Sequence, residues 1–266
     1  NLRLRRRSDD APMTPSFGFW DLALIALVSI QVTVLAYLRS PRWKALLFGL
    51  SIPFTFSSLA LGKPIGAGNV VGLWLLLLYA QGVRLLHGRL RWPMIPAIVA
   101  SALSYAGLAA MLAPVTPNTD VAFWTVALGT CLLGLLLLRL LPPRAEPGQR
   151  SELPVYIKLP IIAAVITGLL ILKSTLQGYM TVFPMVGTIA AYESRQSLWT
   201  FGRQVPVMMI TAVPLMMVGR LLGPHLGLGW ALIAGWLVFV PALALVTRMQ
   251  NGGRLRPAPE GAAPAP

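Results

Sequence analysis

The residues best placed for chemistry are two lysines, Lys63 and Lys173, which stand 110 residues apart. Each follows an apolar segment and precedes a glycine five residues on, Gly68 and Gly178. Two cations at the outer ends of equivalent membrane spans could receive an anionic substrate. The competing reading is that their long stems carry the ammonium groups out to lipid headgroups. A second group lies further on. Pro184 follows Phe183 in the middle of a short apolar segment, where it removes a backbone hydrogen bond and bends a helix, freeing a carbonyl toward a cavity. Tyr192, Glu193 and Arg195 close the same segment. Glu193 is read either as a gate or proton-linked carboxylate, or as an exposed interfacial partner of Arg195. The available chemistry is recognition of an anion rather than bond making. No Ser-His-Asp or Cys-His set, phosphate loop or paired acidic motif occurs, and most of the eight acids fall in the tails and the central linker. No enzyme activity, catalytic residue, metal or cofactor is expected.

These side chains must be held by membrane spans. The 266 residues are 56% hydrophobic and 11% charged, with a mean hydropathy of +0.71, against roughly 25% charged residues in a soluble domain. At ~20 residues per span, nine spans and short loops use up the chain, leaving no room for a soluble domain. Cys131 stands alone in an apolar run, which excludes an internal disulfide and a thiolate metal cluster. The net charge of +14 is spread over loops, so anionic phospholipids are the expected partner and nucleic acid is not. Other membrane subunits are a further possible partner. The chain opens on Asn1 rather than Met, so an upstream segment is expected.

Apolar blocks predict spans at about 17–38, 45–62, 69–86, 94–113, 121–141, 155–172, 179–193, 204–222 and 226–247. At the lysine offset of 110, Pro96 matches Pro206 and Pro114 matches Pro224. Pro206 and Pro96 are read as starting spans, where proline is easily accommodated. The fold expected is all-α: a polytopic transmembrane helical bundle of about nine spans, with two parallel four-helix repeats and one extra N-terminal span. Its parts are a basic polar tail at 1–16, the extra span at 17–38, repeat one at 39–141, a cytoplasmic linker at 142–154, repeat two at 155–247 and a disordered tail at 248–266. Duplicated bundles commonly place a substrate site between their repeats. Asp21 and Asp120 begin spans and read as helix caps.

Loop charge sets the orientation. One set of loops carries fifteen Lys and Arg residues, among them Arg39, Arg42, Lys44, Arg84, Arg144 and Arg203, while the alternate set carries only Lys63, Lys173 and Arg220. The first set is therefore cytoplasmic. The first span then puts Arg3, Arg5, Arg6 and Arg7 outside. Either an upstream span turns this tail into a loop, or the basic tail is periplasmic.

Over 158–217 the chain shows a lysine ending a span (Lys173), a polar turn, Phe183-Pro184, then Ile189-Ala190-Ala191-Tyr192, followed by Glu193 and Arg195, and a later span with Pro214. In these elements the stretch resembles the GlpM family of small bacterial inner-membrane proteins. The resemblance covers about a quarter of the chain and extends more faintly to 247. In the first repeat, Leu73-Trp74 replaces the Phe-Pro pair and Val83 stands where the second has Glu193. The family resemblance implies a four-helix module in the bacterial cytoplasmic membrane, with a role in envelope or small-molecule traffic, such as exopolysaccharide or glycerol-linked metabolism. The function expected is transport or binding of a polar, anionic envelope metabolite or lipid-linked precursor by rocking of the repeats about Lys63, Lys173, Phe183, Pro184, Tyr192, Glu193 and Arg195. The alternative is a non-catalytic structural or accessory subunit of a membrane complex for envelope or exopolysaccharide synthesis. On the charge bias, cysteines at Gly148 and Gly252 should resist membrane-impermeant labelling in intact cells, and efficient labelling of either would overturn the orientation.

Overall fold

The computed structural model describes residues 18–144, 146–148, 154–170 and 177–252. Within them the chain is helical, and seven helices are long and apolar enough to cross a membrane: Phe19–Tyr37, Pro41–Leu61, Ala67–Arg89, Met94–Leu112, Asp120–Leu140, Leu198–Leu226 and Leu228–Gln250. This is the architecture of a multi-pass membrane protein. In such a setting every backbone polar group must be met inside the protein, which is why helices dominate. Lys173 and the linker residues 149–153 lie outside the described residues.

Helix α1 (Phe19–Tyr37) starts at Gly18, whose N–H donates to the Asp21 carboxylate at 3.1 Å, so Asp21 is a cap as expected. The segment read as one span at 45–62 is divided into α2 (Pro41–Phe48) and α3 (Ile52–Leu61). Pro53, in the first turn of α3, has no N–H to continue the ladder across Gly49–Ser51. Helix α3 ends at Gly62, which takes the left-handed conformation (φ 63°) that turns the chain at its C-terminus. Helix α4 (Ala67–Val83) continues into a π-helical turn at Arg84–Arg89. Helices α5 (Met94–Leu112) and α6 (Asp120–Leu140) fall within a residue of expectation. Helix α7 (Val155–Leu170) packs mainly on α1.

The second half departs further from the sequence reading. The span expected at 179–193 is a 3-10 turn, Gln177–Val182, then a break at Phe183-Pro184, then the nine-residue helix α8 (Met185–Glu193). Pro184 is the N-cap of α8 rather than a kink inside a longer helix. Helix α9 (Leu198–Leu226) runs for 29 residues, and Pro206 lies inside it rather than at its start. The helix begins eight residues earlier because the Glu146 carboxylate, from the linker, accepts from the N–H groups of Trp199 (3.1 Å) and Thr200 (2.7 Å). Gly227 turns the chain into α10 (Leu228–Gly252).

Helices α4 and α9 form the centre. The first packs against α5, α6, α8 and α9, the second against α2, α6 and α10. The two halves pack differently. Helix α4 lies against both α5 and α6, which scarcely meet, whereas α9 and α10 pack along their length. The matched spacing of the two halves is therefore not accompanied by matched packing of these helices.

The lipid-facing surface follows from composition. Leu128, Leu132, Leu135 and Leu136 of α6 are exposed, and exposed Phe19, Trp43, Trp92 and Trp230 mark helix ends, as aromatic side chains do at a membrane interface. On the inner face, Gly134 lets α6 approach α9. A Cβ there would lie 3.0 Å from side-chain atoms of Ile210 and Met209 and 3.1 Å from the Pro206 carbonyl oxygen, while one at Gly129 would meet nothing within 4 Å. Gly134→Ala should therefore cost about 1–3 kcal/mol through overpacking, read as a lower thermal midpoint in detergent. Gly129→Ala should be neutral or slightly stabilising, and equal midpoints for the two variants would remove this contact from the account.

Candidate functional site

Several buried polar groups, Ser51, Ser58, Asn69 and Thr181, line cavities near the helix interruptions. Of three cavities among the described residues, two lie beside the interruptions and share Thr181 in their linings. The first, of about 180 Å³, opens at the end that carries Lys63. It is lined from α3 (Ser58), the following loop (Lys63, Gly66), α4 (Asn69), the α5–α6 loop (Thr116, Asn118) and the 3-10 turn (Tyr179, Thr181). Asn69 sits in the first turn of α4, where its amide oxygen accepts from the Gly66 N–H at 2.7 Å and its amide nitrogen donates to Thr181 Oγ1 at 2.9 Å. The Thr116 and Tyr179 hydroxyls are hydrogen-bonded to each other. Thus the first half contributes Ser58, Lys63 and Asn69 to this cavity, and the second half Tyr179 and Thr181.

The loop that carries Lys63 is held from below. Arg220 donates to the Ile65 carbonyl at 2.6 Å and to Asp120 Oδ1 at 2.7 Å. Asp120 is thus the acid of a bridge, and the cap of α6 is Thr119, which accepts from Ala122 N–H at 3.3 Å. Lys63 itself is exposed at the cavity mouth.

Thr181 also lines a second, mostly apolar cavity of about 40 Å³. Both helix interruptions face it: Phe48, Leu50, Ser51 and Pro53 on one side, Val182, Phe183, Pro184 and Gly187 on the other. At the second break the Phe183 and Pro184 carbonyls accept from the N–H groups of Met185 and Thr188, and buried tyrosines hold the segments on either side. Tyr105 donates to the Tyr179 carbonyl at 2.9 Å and Tyr79 to the Gly187 carbonyl at 3.1 Å. Phe183 packs edge-on to the Tyr105 ring, with centroids 5.1 Å apart. At the first break, the Gln31 amide donates to the Leu47 carbonyl at 2.6 Å.

Tyr192, Glu193 and Arg195 stand at the opposite end of the bundle from Lys63. Glu193 is only 3% exposed, so it does not stand exposed at the interface. Its main-chain carbonyl accepts from Lys44 Nζ at 2.7 Å, and Lys44 is 2% exposed. Arg195 donates to the Tyr192 carbonyl at 3.3 Å and lies 5.0 Å from the Tyr192 ring centroid. The expected site residues therefore divide into an outer mouth (Lys63), a middle (Phe183, Pro184) and an inner end (Tyr192, Glu193, Arg195), with the segment 177–193 joining them.

Sequence reading missed Lys44 and the hydroxyl row. Lys44 was counted as one more loop cation, although it shares with Phe48 the i, i+4 spacing of a single helix face. Ser51, Thr55 and Ser58 are spaced by four and three, which also marks one face. All three are buried, and the Ser51 and Ser58 hydroxyls have no hydrogen-bond partner among the described residues. A buried hydroxyl without a partner is costly in hydrocarbon: Ser51 and Ser58 line the two cavities, while Thr55 donates to the Ser51 carbonyl and accepts from the Trp236 indole. No protein-family model, curated protein or solved structure matches the chain.

Lys44→Met should cost about 2 kcal/mol by leaving a buried carbonyl unmet, read as a shorter half-life of the extracted protein on heating. Glu193→Gln keeps that carbonyl and should lose well under half as much. Equal losses would show that the carboxylate, not the carbonyl, carries the contact.

Proposed function

We propose that this chain is a non-enzymatic membrane protein that binds and translocates a polar, anionic solute of the envelope, a small metabolite or a lipid-linked precursor. The solute enters at the cavity beside Lys63 and passes the two helix interruptions. The resemblance of 158–217 to the GlpM family belongs to this reading, as do parallel repeats, a cytoplasmic arginine-rich end and a bacterial inner-membrane location. Lys63 supplies the charge that draws an anion in, with Lys173 as its counterpart in the second half. Ser58, Asn69, Thr181 and Ser51 supply hydrogen bonds along the path.

The observation that carries the reading is the meeting of two interrupted helical segments, at 49–51 and 183–184, across one cavity that shares Thr181 in its lining with the cavity beside Lys63. Interrupted helices at membrane depth are tolerated where they border protein or a wet cavity, and transporters place their substrate sites at such interruptions. An accessory subunit that only holds a partner in place would have a dry, close-packed seam there instead.

The test uses single cysteines at Ser58 and Ser51 in a Cys131→Ser background, probed in sealed vesicles with anionic and cationic methanethiosulfonates. Ser58→Cys should react from the Lys63 side, faster with the anionic reagent. Lys63→Glu should lower that preference by about fivefold. Ser51→Cys should react from both sides in turn as the protein rocks. Cysteines at both positions that stay inert from either side would defeat the translocation reading and leave the accessory-subunit role.

A further inference from the structure

The largest of the three cavities, about 430 Å³, lies at the arginine-rich end, away from Lys63, and the path described above does not use it. Arg42 of α2, Arg144 of the linker and Arg203 of α9 line it, with Glu146 as the acid among them. Gln204 lines it too, at 9% exposure. Three arginines in the lining of one groove favour an anion there, and planar donor forks match the oxygens of a phosphate; Arg203 also donates to the Gln250 side-chain oxygen at 2.7 Å.

Part of that field is answered from within the chain. The two oxygens of Glu146 take the N–H groups of Trp199 and Thr200 in the first turn of α9, at 3.1 and 2.7 Å. The linker is fastened around this contact. Arg144 lies over the Trp199 ring at 3.7 Å and Arg84 at 4.4 Å, the Trp199 indole donates to the Pro142 carbonyl at 2.8 Å, and Arg203 donates to the Leu141 carbonyl at 2.7 Å. A carboxylate held by backbone N–H groups beside three arginines has the surroundings of a bound anion. Here it is delivered by the linker between the two halves.

We infer that this groove is a binding site for a phosphate group, and that Glu146 is its built-in competitor. A phosphate-bearing ligand takes the two N–H groups and the arginines, and Glu146 leaves with the 142–148 strap. The inference is independent of whether a solute crosses at Lys63. The phosphate could belong to a lipid headgroup or to a soluble molecule, because both present the same oxygens to the groove.

The experiment titrates the full chain in detergent with inorganic phosphate by calorimetry, and compares vesicles of phosphatidylcholine with and without phosphatidylglycerol. A seat open only about a tenth of the time weakens apparent affinity about tenfold, so Glu146→Gln should bind phosphate about tenfold more tightly. Arg42→Gln combined with Arg144→Gln should abolish binding. In the unmodified protein, phosphate should shift the Trp199 indole N–H resonance as its bond to the Pro142 carbonyl breaks, a readout that survives if the variants fail to fold. Tighter binding of the soluble ion assigns a soluble ligand, and phosphatidylglycerol-dependent release of the strap assigns a lipid. If Glu146→Gln leaves phosphate affinity unchanged or lower, or if neither phosphate source moves the Trp199 indole resonance, Glu146 is only a helix cap and the inference is lost.

Discussion

A membrane interior offers backbone groups no water, so each interruption of a helix must be answered by a named group of the protein. This constraint organises the bundle. At the break at Phe183-Pro184 the two carbonyls are met by the N–H groups of Met185 and Thr188, while Tyr105 and Tyr79, from α5 and α4, hold the flanking carbonyls of Tyr179 and Gly187. The break between α2 and α3 is met in part by the amide of Gln31 from α1. The tyrosines and Gln31 are buried well inside apolar helices, where a polar side chain without such a role would be costly. Their placement fixes how α1, α4 and α5 stand around the interrupted segments, and that placement leaves the middle of the bundle with hydroxyls instead of a uniform apolar seam.

Charge is arranged by the same logic. Arg220 and Asp120 face one another at the Lys63 end, where Arg220 also supports the 62–66 loop. At the other end, Lys44 reaches inward to the Glu193 carbonyl, while Arg84, Arg144 and Arg203 gather around Trp199 and the linker. Exposed pairs contribute little, so the Arg220–Asp120 bridge, whose acid is exposed, matters through the loop carbonyl it leaves Arg220 free to hold. Lys44 is different. A buried ammonium is expensive to keep, and its presence at the end of segment 177–193 ties α2 to α8, which packs otherwise mainly on α1 and α5.

How much of this was readable from the sequence depended on range. Helices α5 and α6 were legible because an unbroken apolar run and its flanking turn define them locally, and Asp21 was legible as a cap for the same reason. The burial of Glu193 was not, since a loop-charge rule treats every ionisable residue near a span end alike, and only the fold brings Lys44 across from α2. Pro206 was misplaced because the signal that starts α9 is Glu146, more than fifty residues upstream, which no local cap pattern reveals. The hydroxyl row of Ser51, Thr55 and Ser58 was visible as a spacing, yet small polar residues are common in membrane helices, and only the cavities give the spacing a meaning. Lys63 was found by its match to Lys173, and the structure sets it at a polar mouth built from both halves.

The linker then acquires a role that composition alone hid. Its mixed charge reads as a spacer, but Glu146 and Arg144 act in opposite senses on one helix end: the carboxylate satisfies the first N–H groups of α9, and the guanidinium stacks on the adjacent Trp199. Helix α9 also packs on α4, α6 and α10 and contributes Met208, Ala212 and Met216 to the cavity between the two breaks. A change in how the linker holds the start of α9 is therefore applied to the same rigid element that walls the middle of the bundle. The two ends need no separate relay, because one 29-residue helix spans the distance between them.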